Sequence, residues 1–164
     1  MLRDKSLIPL SHQHQRALAL CVRIDRAQPI SGADLNAWQV EIEQLAAQEI
    51  KIHFAAEERI IFPLARRFPE LVPVVDDLER DHARLREYFS EAEARRMSAG
   101  SLLSFAQDLA AHIRKEERQL FEGMQRVMSA QELQSIGAQL EEALKDATQV
   151  CIVPNATTKL RPLK

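Results

Sequence analysis

Glycine, cysteine and the largest aromatics are scarce in this chain: four glycines, two cysteines, one Trp and one Tyr in 164 residues. Cys21 and Cys151 lie far apart and form no CxxC pair. They read as reduced cytosolic thiols, with a disulfide between them left open by the spacing. No apolar run approaches the roughly 20 residues that cross a bilayer. The opening Met1-Leu-Arg-Asp-Lys-Ser lacks the apolar core of a secretory signal, so a cytoplasmic chain is expected. A formal net charge of −2 gives no electrostatic ground for nucleic acid or an anionic membrane as partner.

What is present is the material of helices. The chain is 46% hydrophobic and 28% charged, and it is rich in Ala, Leu, Glu, Gln and Arg. That suits one globular helical domain with a sizeable core. From Pro9, apolar residues recur at helical period through Leu10, Ala17, Leu18, Cys21 and Ile24 to about Ala27. Gln28-Pro29-Ile30-Ser31-Gly32 breaks the pattern. Ser31 or Asp34 can cap a second helix, whose inward stripe runs from Leu35 and Trp38 to Ile60 and Leu64. Pro63 predicts a kink or an end near Phe62. A third helix is expected from about Glu70 to Met97, with Arg95 and Arg96 at its negative end. Gly100 and Ser101 suit a stop and a new N-cap. Ser129-Ala-Gln-Glu132 is a capping-box pattern opening a fifth helix. The expected architecture is all-α, an up-down-up-down four-helix bundle with a short fifth helix and a tail. Residues 1–148 would form one domain, with its core at 9–128, an extra helix at 130–146 and a C-terminal tail at 149–164.

Two segments nearly repeat each other: His53-Phe-Ala-Ala-Glu57-Glu58-Arg59 and His112-Ile-Arg-Lys-Glu116-Glu117-Arg118. Each places a histidine and a carboxylate four residues apart, on one helical face and roughly 6 Å along the axis. Acidic residues number 24 in 164, so roughly one histidine in seven would meet a carboxylate at that spacing by chance. One such pair is weak; two in matching segments are not. His14 and His82 also fall on apolar faces, which puts four of five histidines inside, one per helix. His12 lies about 200° around from His14 and is left out. Burying Glu57 and Glu116 without cationic partners would cost several kcal/mol each, and a metal would neutralise both. A lone inward histidine is more often a hydrogen-bonded core residue, and it is the doubling that favours ligation.

Four imidazoles and two carboxylates exceed the needs of one tetrahedral zinc. They suit two metals, one held by His14 and His53 and the other by His82 and His112, with Glu57 and Glu116 bridging. An oxo or hydroxo bridge would leave about one position open per metal in an octahedral site. Mixed imidazole and carboxylate donors point to two iron ions, with manganese or zinc as substitutes.

These segments, with Leu10-Ser-His-Gln-His14 and Leu78-Glu-Arg-Asp-His82, resemble the motifs of hemerythrin-like (HHE cation-binding) domains over roughly Pro9 to Met128. The resemblance implies a four-helix bundle holding a carboxylate-bridged di-iron centre, with His14, His53, Glu57, His82, His112 and Glu116 as ligands. Oxygen-carrying relatives have a further histidine one turn before the third-helix ligand; here that position is Leu78, which argues against simple reversible O2 carriage. Glu79 can substitute for that ligand or remain solvated. Glu58 and Glu117 sit about 100° off the ligand stripe, placed for arginine pairing or a contact to a ligand histidine. Cys21, Tyr88, Trp38 and the phenylalanines read as packing.

Three functions fit. The first is a sensing, redox or detoxifying module that binds O2, NO or peroxide at an open iron position. The second is an enzyme that turns over those oxidants. The third is iron storage or donation, or a structural bundle with an incidental metal. No inward acid or base remains once six ligands are assigned, which weighs against a dedicated enzyme. A sensor would need a separate protein partner for its output.

Overall fold

The computed structural model describes residues 2–145, 147, 154 and 156–159, and helices account for nearly all of them, with no strand among the described residues. A 3₁₀ turn at Lys5–Leu7, capped by the Asp4 side chain, leads into α1, Ile8–Arg26, with Pro9 in its first turn. Helix α2 spans 32–65. Its regular stretches Gly32–Leu45, Lys51–Ala56 and Phe62–Ala65 are separated by π-helical turns at Ala46–Ile50 and Glu57–Ile61. A second 3₁₀ turn, Pro69–Leu71, precedes α3, Val72–Glu93. Helix α4 spans 99–127, with a π-helical turn at Glu116–Phe121 between Ala99–Lys115 and Glu122–Val127. The capping box at Ser129 and Glu132 opens α5, Ala130–Leu144. The proposed tail at 149–164, with Cys151, lies largely outside the described residues.

Helix α1 packs on α4, α4 on α3 and α3 on α2, which is the expected up-down-up-down bundle. Two apolar layers fill it. One joins Leu20 and Ile24 of α1 to Trp38 and Ile42 of α2, Leu85 and Phe89 of α3, and Phe105 and Leu109 of α4. The other joins Leu10, Ile61, Phe62, Leu78, Leu120 and Phe121 to Leu133, Ile136 and Leu140 of α5. In α1 and α3 the second layer comes before the central histidine, and in α2 and α4 it comes after. This alternation is the antiparallel order written in side chains, and it leaves one level of the bundle between the layers for polar groups.

Two boundaries depart from expectation, and a third takes a form of its own. Helix α2 runs past Phe62 to Ala65, with its irregularity at Glu57–Ile61 just before Phe62. The Phe62 amide reaches back five residues to the Glu57 carbonyl, and this widened turn accommodates the donor that Pro63 lacks. Helix α3 ends at Glu93 rather than near Met97, because Arg95 adopts a left-handed conformation with φ of 56°. The Arg95 guanidinium then binds the Ala92 carbonyl and the Glu43 carboxylate. Helix α4 starts earlier than expected. Ser98 is its N-cap, bonded reciprocally with Ser101, so Gly100 and Ser101 lie inside the helix.

Candidate metal centre

His14, His53, Glu57, His82, His112 and Glu116 meet at the polar level. None is more than 4% exposed, and both carboxylates are wholly buried. Nε2 of His14 lies 3.1 Å from Glu116, and Nε2 of His53 lies 3.1 Å from Glu57. On the opposite side, Nε2 of His82 lies 3.4 Å from Glu57 and Nε2 of His112 lies 3.2 Å from Glu116. The donor atoms form two groups, His14–His53–Glu57–Glu116 and Glu57–His82–His112–Glu116, each within a 4.8 Å span. The two groups share both carboxylates.

Tautomers follow from the outer nitrogens. Nδ1–H of His14 donates to Glu117 at 2.7 Å, that of His53 to Gln13 at 2.7 Å, and that of His82 to Glu58 at 2.8 Å. Nδ1 of His112 faces Asp81 at 3.5 Å. Protons held on Nδ1 of His14, His53 and His82 leave their Nε2 lone pairs facing inward, whereas Nδ1 of His112 has no hydrogen-bond partner among the described residues. The lone pairs of His14 and His53 then oppose each other at 3.0 Å, a repulsive contact unless a cation or a proton lies between them. Both oxygens of Glu57 and of Glu116, with Nε2 of His82 and of His112, have no hydrogen-bond partner among the described residues. Such orphaned, wholly buried acceptors are rare in folded proteins, and together they fit the donor set of a divalent or trivalent cation. No Lys or Arg forms an ion pair with either central carboxylate among the described residues.

Charge in the cage without metal is balanced by protons. Burial alone would push the His14 imidazole down, but Glu116 and Glu117 outweigh it and carry it to about 9. His112 rises to about 10, where Glu116 and Asp81 overcome the same burial. Burial would raise the Glu116 carboxyl, yet His112 and His14 hold it well below the usual range. Glu57 is lowered against burial and the Glu116 charge by His53 and His82. Glu117, despite partial burial, falls to about 2 beside His14 and Ser11.

The arrangement has a pseudo-twofold logic. The residue after each central carboxylate, Glu58 or Glu117, holds the lone histidine of a neighbouring helix, His82 or His14. The residue before each lone histidine, Gln13 or Asp81, faces the histidine of a paired motif, His53 or His112. The two π-helical turns that begin at Glu57 and Glu116 lie at matching places in the two halves, where widened turns often accompany function. Phe54 stacks on His82 with ring centroids 3.7 Å apart, and Phe121 stacks on His14 at 5.7 Å.

All six residues expected from spacing are thus brought together, and His12 is exposed. Glu79 pairs with Arg66 at the surface and does not replace a ligand. The Tyr88 hydroxyl donates to Asp108, and Cys21 packs in the core with its thiol pushed by burial to about 12. Sequence reasoning passed over Gln13 and Asp81. The signal was the polar residue preceding each lone histidine, repeated in both halves.

No curated protein and no solved structure matches the chain. A family model, the hemerythrin HHE cation binding domain, matches residues 9–124 and so spans all six clustered residues. The chain belongs to the hemerythrin HHE cation-binding domain family.

Proposed function

We propose that this chain holds two iron ions and offers them to a small oxidant, O2, NO or peroxide, in sensing, redox or detoxification. His14 and His53 would ligate one ion, His82 and His112 the other, and Glu57 and Glu116 would bridge them. The observation that carries the reading is that two four-donor groups share the same two orphaned carboxylates. Mixed imidazole and carboxylate donors suit iron, with manganese or zinc as substitutes. Bound iron would supply a redox-active Lewis acid with a free coordination position.

The chain's own residues shape that position. Leu10 and Leu78 stand one helical turn before His14 and His82 and are wholly buried, in one apolar layer with Phe62 and Phe121. Such a lining excludes water and favours a small neutral ligand over a hydrated anion. A groove of about 270 Å³, lined by Ile50, Lys51, Phe54, Arg86 and Phe89, reaches Phe54, which stacks on His82. Glu49, a further buried carboxylate on α2, is tied at 2.9 Å to Arg16.

Metal analysis of freshly purified protein, with its optical spectrum, tests the proposal. Two irons per chain and near-ultraviolet charge-transfer absorption that shifts on adding NO are expected. One tightly held zinc after iron-replete expression would overturn it, as would a spectrum indifferent to NO and azide.

A further inference from the structure

On the His82 side, the outer carboxylate is held by a residue of the same bundle helix. Glu58, which accepts from His82, is bound at 2.8 Å by Arg86, one turn beyond His82 on α3. The Arg86 guanidinium also lies 5.5 Å from the centre of Phe54, the ring stacked on His82. The corresponding position on α1, one turn beyond His14, is Leu18. Helix α1 therefore supplies no such cation.

The N-terminal segment supplies it instead. Arg3 Nη2 donates to both the side chain and the carbonyl of Glu117, the residue that accepts from His14. Its guanidinium lies 5.2 Å from the centre of Phe121, the ring stacked on His14. The segment is seated on two sides. Gln125 of α4 accepts from Arg3 at 2.9 Å and from the Asp4 amide at 3.2 Å, and donates to the Leu2 carbonyl at 2.9 Å. Helix α5 presses on it at Gly137, where a Cβ would come within 2.9 Å of the Ser6 hydroxyl. Both Arg3 and α5 lie outside the residues matched by the family.

We propose that Arg3 is a positioning residue of the metal centre, and that the N-terminal segment, clamped by Gln125 and α5, completes its His14 side. The inference rests on the metal reading. Arg3 fixes Glu117, Glu117 fixes the His14 ring and its tautomer, and Nε2 of His14 is aimed at one cation position only. Partners of this kind affect metal affinity by roughly 10- to 100-fold. Arg3 acts one contact further out, and the Ser11 hydroxyl still donates to Glu117, so the lower end is expected.

The test is calorimetric titration of the full metal-free chain with Zn²⁺, as a redox-silent probe, alongside the melting temperature of the metal-free protein. Wild type should take up two ions. Arg3→Gln should weaken one of them about tenfold, leave the other unchanged, and shift the ¹⁵N resonances of the His14 ring. Arg3→Lys should recover part of the loss, Gln125→Ala should act in the same direction more weakly, and Arg86→Gln should affect the other ion. Metal-free melting should be nearly unchanged in Arg3→Gln. Wild-type uptake of both ions by Arg3→Gln, equal weakening of both, or a loss matched by the fall in metal-free melting temperature would overturn the positioning role alone. Failure of wild type to take up a pair would overturn the metal reading, and this inference with it.

Discussion

Glu58 and Glu57, adjacent in sequence, face opposite nitrogens of one ring: Glu58 lies 2.8 Å from Nδ1 of His82, and Glu57 lies 3.4 Å from its Nε2. Glu117 and Glu116 do the same to His14, at 2.7 and 3.1 Å. Each doubled glutamate thus divides two tasks, one residue facing the buried cluster of donor atoms and its neighbour holding a histidine from another helix. Glu58→Ala should leave the fold intact and lower affinity for one metal by roughly 10- to 100-fold. Glu58→Gln keeps an acceptor for Nδ1–H and should lose less. Competition with a chelator of known affinity measures both; equal losses would mean that charge matters and orientation does not.

The shared carboxylates and the histidines should differ in how many metals they cost. Glu57→Ala removes a donor from both groups and should empty both positions. His53→Ala touches one group and should leave about one metal per chain. Metal binding is coupled to folding, so each loss should lower the melting temperature of the loaded protein, the first more than the second. His12→Ala should change neither. Elemental analysis with thermal melting of the three variants decides, and retention of two metals by Glu57→Ala would remove the bridging role.

The six central residues were legible because burial and helical period act together. A polar side chain on an apolar stripe has nowhere else to point, and a spacing of four fixes its distance from its partner. Residues around them were less legible. Gln13, Asp81, Glu58 and Glu117 sit off the stripe, and their partners depend on how one helix is registered against the next. Arg3 precedes the first helix, where no period guides a reading. Pro63 announced a break, but the π-helical turn before it absorbs the missing donor. Ser98 and Ser101 both suit a cap, and propensity alone does not choose between them. Ser98→Ala should cost about 1 kcal/mol in denaturant unfolding, and Ser101→Ala less.

Acid and base should act oppositely on the metal-free and loaded proteins. Without metal, His14 and His112 are raised from 6.5 to about 9 and about 10. Their contribution to stability is fully present below pH 6.5 and is lost as the pH climbs through 9 to 10. Glu57 and Glu116 are lowered from 4.5, so their contribution is present above that value and is lost on acidification through their folded values. The metal-free protein should therefore melt highest between about pH 4.5 and 6.5 and weaken toward pH 10. A bound cation takes the place of the histidine protons, so metal affinity should rise over the interval in which the metal-free protein weakens. Melting curves of both forms from pH 5 to 10 check this, and parallel curves would mean that the metal does not displace those protons.

Phe54 separates the groove beside Arg86 from the His82 ring, which it covers face to face at 3.7 Å with planes 14° apart. A ligand arriving by this route must wait for the ring to move, so the ring should control the rate of entry more than the final affinity. Phe54→Leu shortens the barrier while keeping an apolar side chain. In stopped-flow mixing of the metal-loaded protein with NO, it should speed binding and release together and leave the equilibrium nearly unchanged. The core should lose stability as well, on the order of 1–3 kcal/mol by analogy with other large-to-small changes. On the His14 side, Phe121 lies under the Arg3 guanidinium, so Phe121→Leu should reduce stability with little effect on the rate. If Phe121→Leu alone speeds entry, the ligand arrives beneath the N-terminal segment, and the groove at Phe54 is not the path.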